Sequence, residues 1–307
     1  MNILHMKYAV EVAKAGSINK ASENLLIAQP NLSRSIKELE TDLGISIFDR
    51  SAKGMVLTPD GEEFISYATK ILSQIDEVED HYKSGSNIKQ RFSVSAPRAC
   101  YISEAFSLFS KCLSDKPCEI SYNETNAFNT IQGVLNEDFK LGIIRYSSSH
   151  DAYYKGMLED KGLNYEMISE LNYVIITSKE SELAQLENIT YKDLTKKIEV
   201  VHGDPYIPSL SVGRARKEEL PGNVERRILL FERGSQFELL SVNPETYMWV
   251  SPVPNQTMER YNLVQLDCSD NKRLYKDVLI YKKNYKLTEL DNIFISEVIQ
   301  SRRRNIG

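Results

Sequence analysis

Residues 21–61 read ASENLLIAQPNLSRSIKELETDLGISIFDRSAKGMVLTPDG, and this stretch decides the fold of the N-terminal part. Asn24-Leu25-Leu26-Ile27 closes one helix, and Gln29-Pro30-Asn31 opens another, with Pro30 in the first turn where its missing N–H is not needed. Leu32, Ile36, Leu39 and Leu43 then recur at helical steps and give one buried face. Gly44 stands just past the end, the usual place for a C-terminal glycine. The opposite face carries Gln29, Ser33, Arg34 and Lys37. A short helix with one apolar side and one side of this chemistry suits the major groove of DNA. Beyond it, Ile47–Arg50 and Met55–Leu57 read as two short strands joined by Ser51-Ala52-Lys53-Gly54. Arg50 and Lys53 on this wing could reach phosphates or the minor groove, or be ordinary cations on a solvated hairpin tip.

Upstream, Leu4, Tyr8 and Val12 mark a first helix over 3–15 that ends at Gly16, and Ser17 can cap the next. Downstream, Thr58-Pro59-Asp60 supplies a cap, a first-turn proline and an acid at the positive end of a long helix. Its residues Phe64, Ala68, Ile71, Ile75, Val78 and Tyr82 alternate steps of four and three, the spacing of a coiled-coil seam. This seam is expected to meet a second copy of the chain, the alternative being that it packs on its own chain. Ser84-Gly85-Ser86-Asn87 reads as a hinge.

The run Ala21, Leu25, Gln29-Pro30, Leu32-Ser33-Arg34, Ile36, Leu39-Glu40, Leu43-Gly44, Phe48, Arg50, Gly54, Leu57-Thr58, Gly61 resembles the winged helix-turn-helix of LysR-type transcriptional regulators. The resemblance implies an α+β multidomain protein: a winged helix-turn-helix at 1–58, a linker and dimerisation helix with hinge at 59–90, and an effector-binding domain at 91–307. That domain would be a two-lobed, periplasmic-binding-protein-like α/β fold, with lobe one about 91–163 and 267–307 and lobe two about 164–266. It sets Ser17, Gln29, Pro30, Asn31, Ser33, Arg34, Lys37, Arg50 and Lys53 against double-stranded DNA at a near-palindromic operator. It further implies a dimer and beyond it a tetramer, a small-molecule effector, and RNA polymerase as a further partner.

Composition sets the outer bounds. A chain of 307 residues can hold two domains with real cores. Hydrophobic residues make up 41% and charged residues 26%, and no run approaches the ~18 apolar residues of a membrane span. The N-terminal MNILHMKYAVEVAKAG holds Lys7 and Glu11 inside its apolar pattern and reads as a helix rather than a signal peptide. Cys100, Cys112, Cys118 and Cys268 have no metal-ligand spacing, which fits a reduced, cytoplasmic setting. No cofactor and no metal are implied. Net charge is −5, yet residues 1–60 balance seven cations against seven carboxylates, and Arg34, Lys37, Arg50 and Lys53 lie on the second helix or wing. A focused basic face, doubled by dimerisation, is the expected route to phosphate affinity.

In the remainder, strand-like and helix-like segments alternate, which predicts parallel α/β sheets. Strands are expected at Phe92–Ser95, Cys118–Tyr122, Phe139–Arg145, Tyr173–Ser178, Ile198–His202, Ile228–Phe231, Tyr247–Val250 and Asp277–Tyr281. Helices are expected on the faces Ile102–Leu113 and Phe128–Leu135, near 190–195, 211–218 and 234–242, and over Thr288–Ser301 with Thr288 as its cap. Such folds bind ligands at the carboxyl ends of strands. Those ends hold Pro97, Arg98, Ala99, Cys100, Asn126, Arg145, Tyr146, His202 and Gly203, the candidate effector-binding residues. Arg98 and Arg145 favour an anionic ligand such as a carboxylate, the other reading being ion-pair duty. His202 reads first as a packed histidine and Cys100 as an inert thiol. Two other function classes remain. A solute-binding protein with a fused dimerisation helix predicts an export signal, which the sequence does not display. An enzyme predicts a nucleophile elbow, P-loop, HExxH or dinucleotide glycine pattern, and none of these occurs.

Overall fold

The computed structural model describes residues 2–51, 54–83, 89–207 and 224–306. The expected hinge at Ser84–Asn87, the helical stretch at 211–218, Lys53 and the side chains of Arg50 and Tyr82 lie outside the described residues. The chain divides into two compact units, Met1–Lys89 and Gln90–Gly307.

The first unit comprises helices α1 (Ile3–Ala15), α2 (Ile18–Asn24) and α3 (Gln29–Leu43), strands β1 (Phe48–Ser51) and β2 (Gly54–Leu57), and the long helix α4 (Pro59–Lys83). Each boundary has a local cause. Ser17 Oγ accepts from Lys20 N at the start of α2, and Gly44 takes the left-handed conformation that ends α3. Leu32, Ile36 and Leu39 turn inward onto Ala9, Val12, Ala21, Ile47 and Phe48, which form the core. The wing is an antiparallel pair in which Arg50 faces Met55. Glu40, on α3, accepts from the backbone N–H of Ile47 at 2.7 Å and of Phe48 at 3.2 Å. Met55 N–H donates to Gly16 O at 3.0 Å. The wing is therefore tied at one end to α3 and at the other to the α1–α2 turn. Thr58 Oγ accepts from Gly61 N–H at 2.9 Å to open α4. A Cβ on Gly61 would sit 2.0 Å from Ile47 O, so only glycine lets α4 start this close to the wing.

The second unit holds two five-stranded sheets. The first has the order β4 (Cys118–Glu124), β3 (Gln90–Ala96), β5 (Leu141–Ser147), β12 (Leu274–Lys282), β6 (Leu163–Asn172). Helices α5 (Cys100–Phe109) and α11 (Glu289–Asn305) cover one face, where Phe92, Phe109 and Phe294 meet with ring centroids 4.6 to 5.7 Å apart. Helices α6 (Ala127–Leu135) and α7 (Asp151–Asp160) cover the other with Ile131, Val134, Tyr154 and Leu158. Thr288 caps α11 in a reciprocal box with Asp291. The second sheet has the order β11 (Leu263–Leu266), β7 (Val174–Ser178), β10 (Thr246–Val250), β8 (Ile198–His202), β9 (Arg227–Leu230). Helices α8 (Tyr191–Leu194), α9 (Gly234–Val242) and α10 (Asn255–Arg260) complete it.

The sheets are mixed rather than parallel. β3, β4 and β5 run parallel, but β12 is antiparallel to both β5 and β6, and β7 is antiparallel to β10 and β11. The cause is that the chain leaves the first lobe and returns to it, so the returning strand enters between existing ones. Strand β6, for which the sequence reading has no strand and whose residues it assigns almost wholly to lobe two, pairs along its length with β12 in the first sheet. Helices α7 and α10 and strand β11 are likewise additional to the expected elements. Two crossing segments, 172–174 and 267–273, join the lobes. There Tyr173 stacks on Tyr275 at 4.1 Å with planes 10° apart, and Asn271 Nδ2 donates to Tyr173 O at 2.8 Å.

Candidate functional site

Gln29, Pro30, Asn31, Arg34 and Lys37 are exposed on one side of α3, with Ser33 half-buried beside them. The buried Leu32, Ile36 and Leu39 hold the opposite side, so the polar face is fixed rigidly outward. Ala28 stands at the N-cap without a side-chain cap bond, which leaves Pro30 to set the first turn. Ser17 lies half-buried at the start of α2, engaged in its cap.

The proposed dimer seam is divided by the structure. Ala68 is fully buried with Leu72 against Met6 and Val10 of α1, and Phe64 packs partly into the same cluster. These two residues are covered by their own chain, because α1 presents an apolar face to this part of α4. Ile75 is half-buried. Facing outward are Tyr67 (56% exposed), Ile71 (37%) and Val78 (56%). Tyr67 was absent from the sequence-based seam. Its ring carries Lys70 Nζ at 5.7 Å.

A cleft of about 450 Å³ opens between the two lobes of the second unit. Of the expected effector residues, Pro97, Arg98, Asn126, Arg145, Tyr146 and His202 line it. Ala99, Cys100 and Gly203 do not: Ala99 is buried in the first lobe's core, and Cys100 packs among Ile176, Val200 and Phe237 of the second lobe. Burial pushes the Cys100 thiol up, even with the Arg233 guanidinium 3.8 Å away, so the thiol stays protonated.

Both arginines already hold carboxylates. Arg98 grips Asp204 with two bonds of 2.8 and 3.0 Å and donates to Phe231 O at 3.1 Å. Arg145 grips Asp277, its cross-strand neighbour on β12, through Nε at 2.7 Å and a second nitrogen at 2.5 Å. Tyr101 OH donates to the same carboxylate at 2.6 Å. Burial works against the Arg145 charge, but Asp277 outweighs it and holds the guanidinium firmly protonated. The expected anion-binding role of these two side chains is thus occupied by ion pairs within the chain. Arg98–Asp204 joins the lobes, as do Asn126 Nδ2 to Asp204 O at 3.0 Å and Arg233 to Glu124 at 2.8 Å. His202 is driven down to about 4, first by burial and then by the nearby Arg98, so it is neutral near pH 7.

Sequence reasoning missed several lining residues. Glu199, Tyr173, Tyr191, Tyr206, Trp249 and Tyr275 all border the cleft. Glu199 was legible only as a single acid inside the otherwise apolar strand Ile198–Val201.

Residues 3–62 match the family model described as "Bacterial regulatory helix-turn-helix protein, lysR family". YcgK of Bacillus subtilis, an uncharacterized HTH-type transcriptional regulator, is 41% identical over 98 residues, which is 32% of this chain and 30% of that protein. BenM of Acinetobacter baylyi, an HTH-type transcriptional regulator, is 36% identical over 94 residues, covering 31% of each chain. The matched region thus spans under a third of those relatives' lengths. YnfL of Escherichia coli, an uncharacterized HTH-type transcriptional regulator, is 24% identical over 212 residues, 67% of each chain. Among solved structures, CbnR, a LysR family transcriptional regulator, aligns at TM-score 0.62 and 17% identity over 98% of this chain and 99% of its own. CbnR complexed with its target DNA gives 0.64 and 18%, covering 98% and 100%. At these identities the likeness shows the fold.

Proposed function

We infer that this chain, whose N-terminal domain is a helix-turn-helix of the LysR family and whose fold is that of a full-length LysR-type regulator, is a DNA-binding transcriptional regulator governed by a small molecule held between its two lobes. The observation that carries this reading is the exposed face of α3, a rigid platform of Gln29, Ser33, Arg34 and Lys37. Gln29 is suited to adenine edges and Arg34 to guanine or phosphate, while Asn31, Lys37 and the wing residues Arg50 and Lys53 position the backbone. The exposed stripe of α4 pairs two copies, so two α3 helices meet a near-palindromic operator. A tetramer, contact with RNA polymerase and action in the cytoplasm complete the proposal. The cleft serves binding rather than catalysis. Effector control requires a ligand with different affinity for two arrangements of the lobes.

DNA fragments selected by the wild-type chain test the α3 assignment. Arg34→Ala is expected to lose about 1–3 kcal/mol of affinity and to relax base preference at one position. Unchanged affinity and preference at physiological salt would show that α3 does not read this DNA.

A further inference from the structure

Glu199 is the second residue of β8, its side chain is fully buried, and it borders the cleft. One carboxylate oxygen accepts from Arg227 Nε at 2.8 Å. The other, Oε1, is buried with no hydrogen-bond partner among the described residues. A buried acceptor left without a donor is costly, and native proteins seldom keep one without use. Trp249, two residues along β10 from Tyr247, the register partner of Glu199, also borders the cleft. Its Nε1 is buried and has no acceptor among the described residues. Three side chains of the second lobe that border the cleft therefore carry a buried polar atom without a partner among the described residues: Glu199 Oε1, Trp249 Nε1 and His202 Nδ1.

The remaining lining bears on the class of the ligand. Arg98 and Arg145, the side chains best shaped to take a carboxylate, are already bound to Asp204 and Asp277. Tyr146, Tyr173, Tyr191, Tyr206, Trp249 and Tyr275 surround the space with aromatic rings. Aromatic faces attract a cationic nitrogen, and flat rings stack on them. A carboxylate entering here would meet Arg98 and Arg145 already paired, Arg273 at the edge of the lining, and the Glu199–Arg227 pair. An N–H group that reaches Glu199 Oε1 would supply the buried acceptor with the donor it lacks among the described residues. About 450 Å³ suits a compact ligand of one or two rings.

We propose that the effector is a small arylalkylamine carrying a hydroxyl or carbonyl acceptor. Its amine donates to Glu199 Oε1, its acceptor receives Trp249 Nε1, and its ring lies among the tyrosines. This deepens, and rests on, the effector-cleft reading above.

The test uses the full chain and a matched pair of probes, tyramine and 4-hydroxyphenylacetate, which share a hydroxyphenyl ring and differ in the charged end. Calorimetric titration is expected to show tyramine binding at least about tenfold more tightly than the acid. Glu199→Gln keeps an oxygen for Arg227 and the side-chain volume, and is expected to weaken tyramine at least about tenfold. Trp249→Phe is expected to weaken tyramine while leaving phenethylamine, which lacks the acceptor, unchanged. A wild-type-like far-ultraviolet circular dichroism spectrum with a cooperative urea transition confirms that each variant is folded. Tighter binding of the acid, indifferent to Glu199→Gln but weakened by Trp249→Phe, would overturn the amine class and leave the cleft as effector site. Binding of either probe with affinity untouched by both substitutions would place the site elsewhere and overturn the cleft reading as well. Failure of tyramine to bind the wild-type chain at millimolar concentration would overturn the amine proposal.

Discussion

Removing Asp277 should damage the second unit more than any other single truncation around the cleft. Its carboxylate is fully buried and accepts two bonds from Arg145 and one from Tyr101. The Arg145 side chain is itself only 7% exposed. Asp277→Ala would leave a buried guanidinium without its counter-charge and a buried phenol without its acceptor. Breaking a buried pair from one side costs about 3–5 kcal/mol, because the surviving charge remains desolvated. Trp249 is the chain's single tryptophan and lies in this unit, so its fluorescence follows urea unfolding here alone. With a slope of about 2 kcal/mol/M, the midpoint should fall by about 1.5–2.5 M. The double variant Arg145→Met, Asp277→Leu removes both charges and should recover much of the loss, a non-additivity that marks a coupled pair. A midpoint shift below about 0.5 M for Asp277→Ala, corresponding to about 1 kcal/mol, would refute the reasoning that the pair is buried and mutually dependent.

Glu40→Ala removes the acceptor for the Ile47 and Phe48 amides, so the start of the wing should loosen by about 1–2 kcal/mol. Faster hydrogen exchange at those two amides is the readout, and unchanged protection would contradict the brace. Ile71→Glu with Val78→Glu should turn the proposed dimer into a monomer in sedimentation, since both side chains face outward from α4. Ala68→Glu should instead unfold the first unit, because Ala68 is enclosed by Met6 and Val10. For His202, the folded value of about 4 lies below the ordinary 6.5, so the native state resists protonation. Its contribution is fully present above pH 6.5 and is lost as pH falls through 4, by up to about 3 kcal/mol. Urea midpoints read by Trp249 at pH 7 and pH 4 should therefore converge more closely in His202→Gln than in the wild type.

Much of the first unit was legible because its signals are local. The apolar steps of α3, the cap at Ser17, the proline at Pro30 and the turn at Gly44 all act within a few residues. The α4 seam shows the limit of such signals. Helical spacing identifies a face but not what covers it, and the face holding Phe64 and Ala68 was covered by α1. Tyr67, one step round the helix, belongs to the outward stripe. In the second unit, the strand ends at Arg98 and Arg145 could be placed from alternation alone. Their partners could not, since Asp204 and Asp277 lie 106 and 132 residues along the chain. Strand β12 escaped the parallel expectation for the same reason: its neighbours β5 and β6 are set by a return crossing that leaves no local mark. Glu199 became meaningful only when β8 was seen to border a cleft with one of its oxygens unmatched.

The central claim is that α3 reads bases, and genome-wide footprinting of the full chain on DNA from its own source tests it most directly. The account predicts discrete, near-palindromic sites whose occupancy survives physiological salt in the wild type and is lost in Arg34→Ala. Weak, sequence-independent occupancy that collapses with salt, equal in the wild type and the variant, would contradict it.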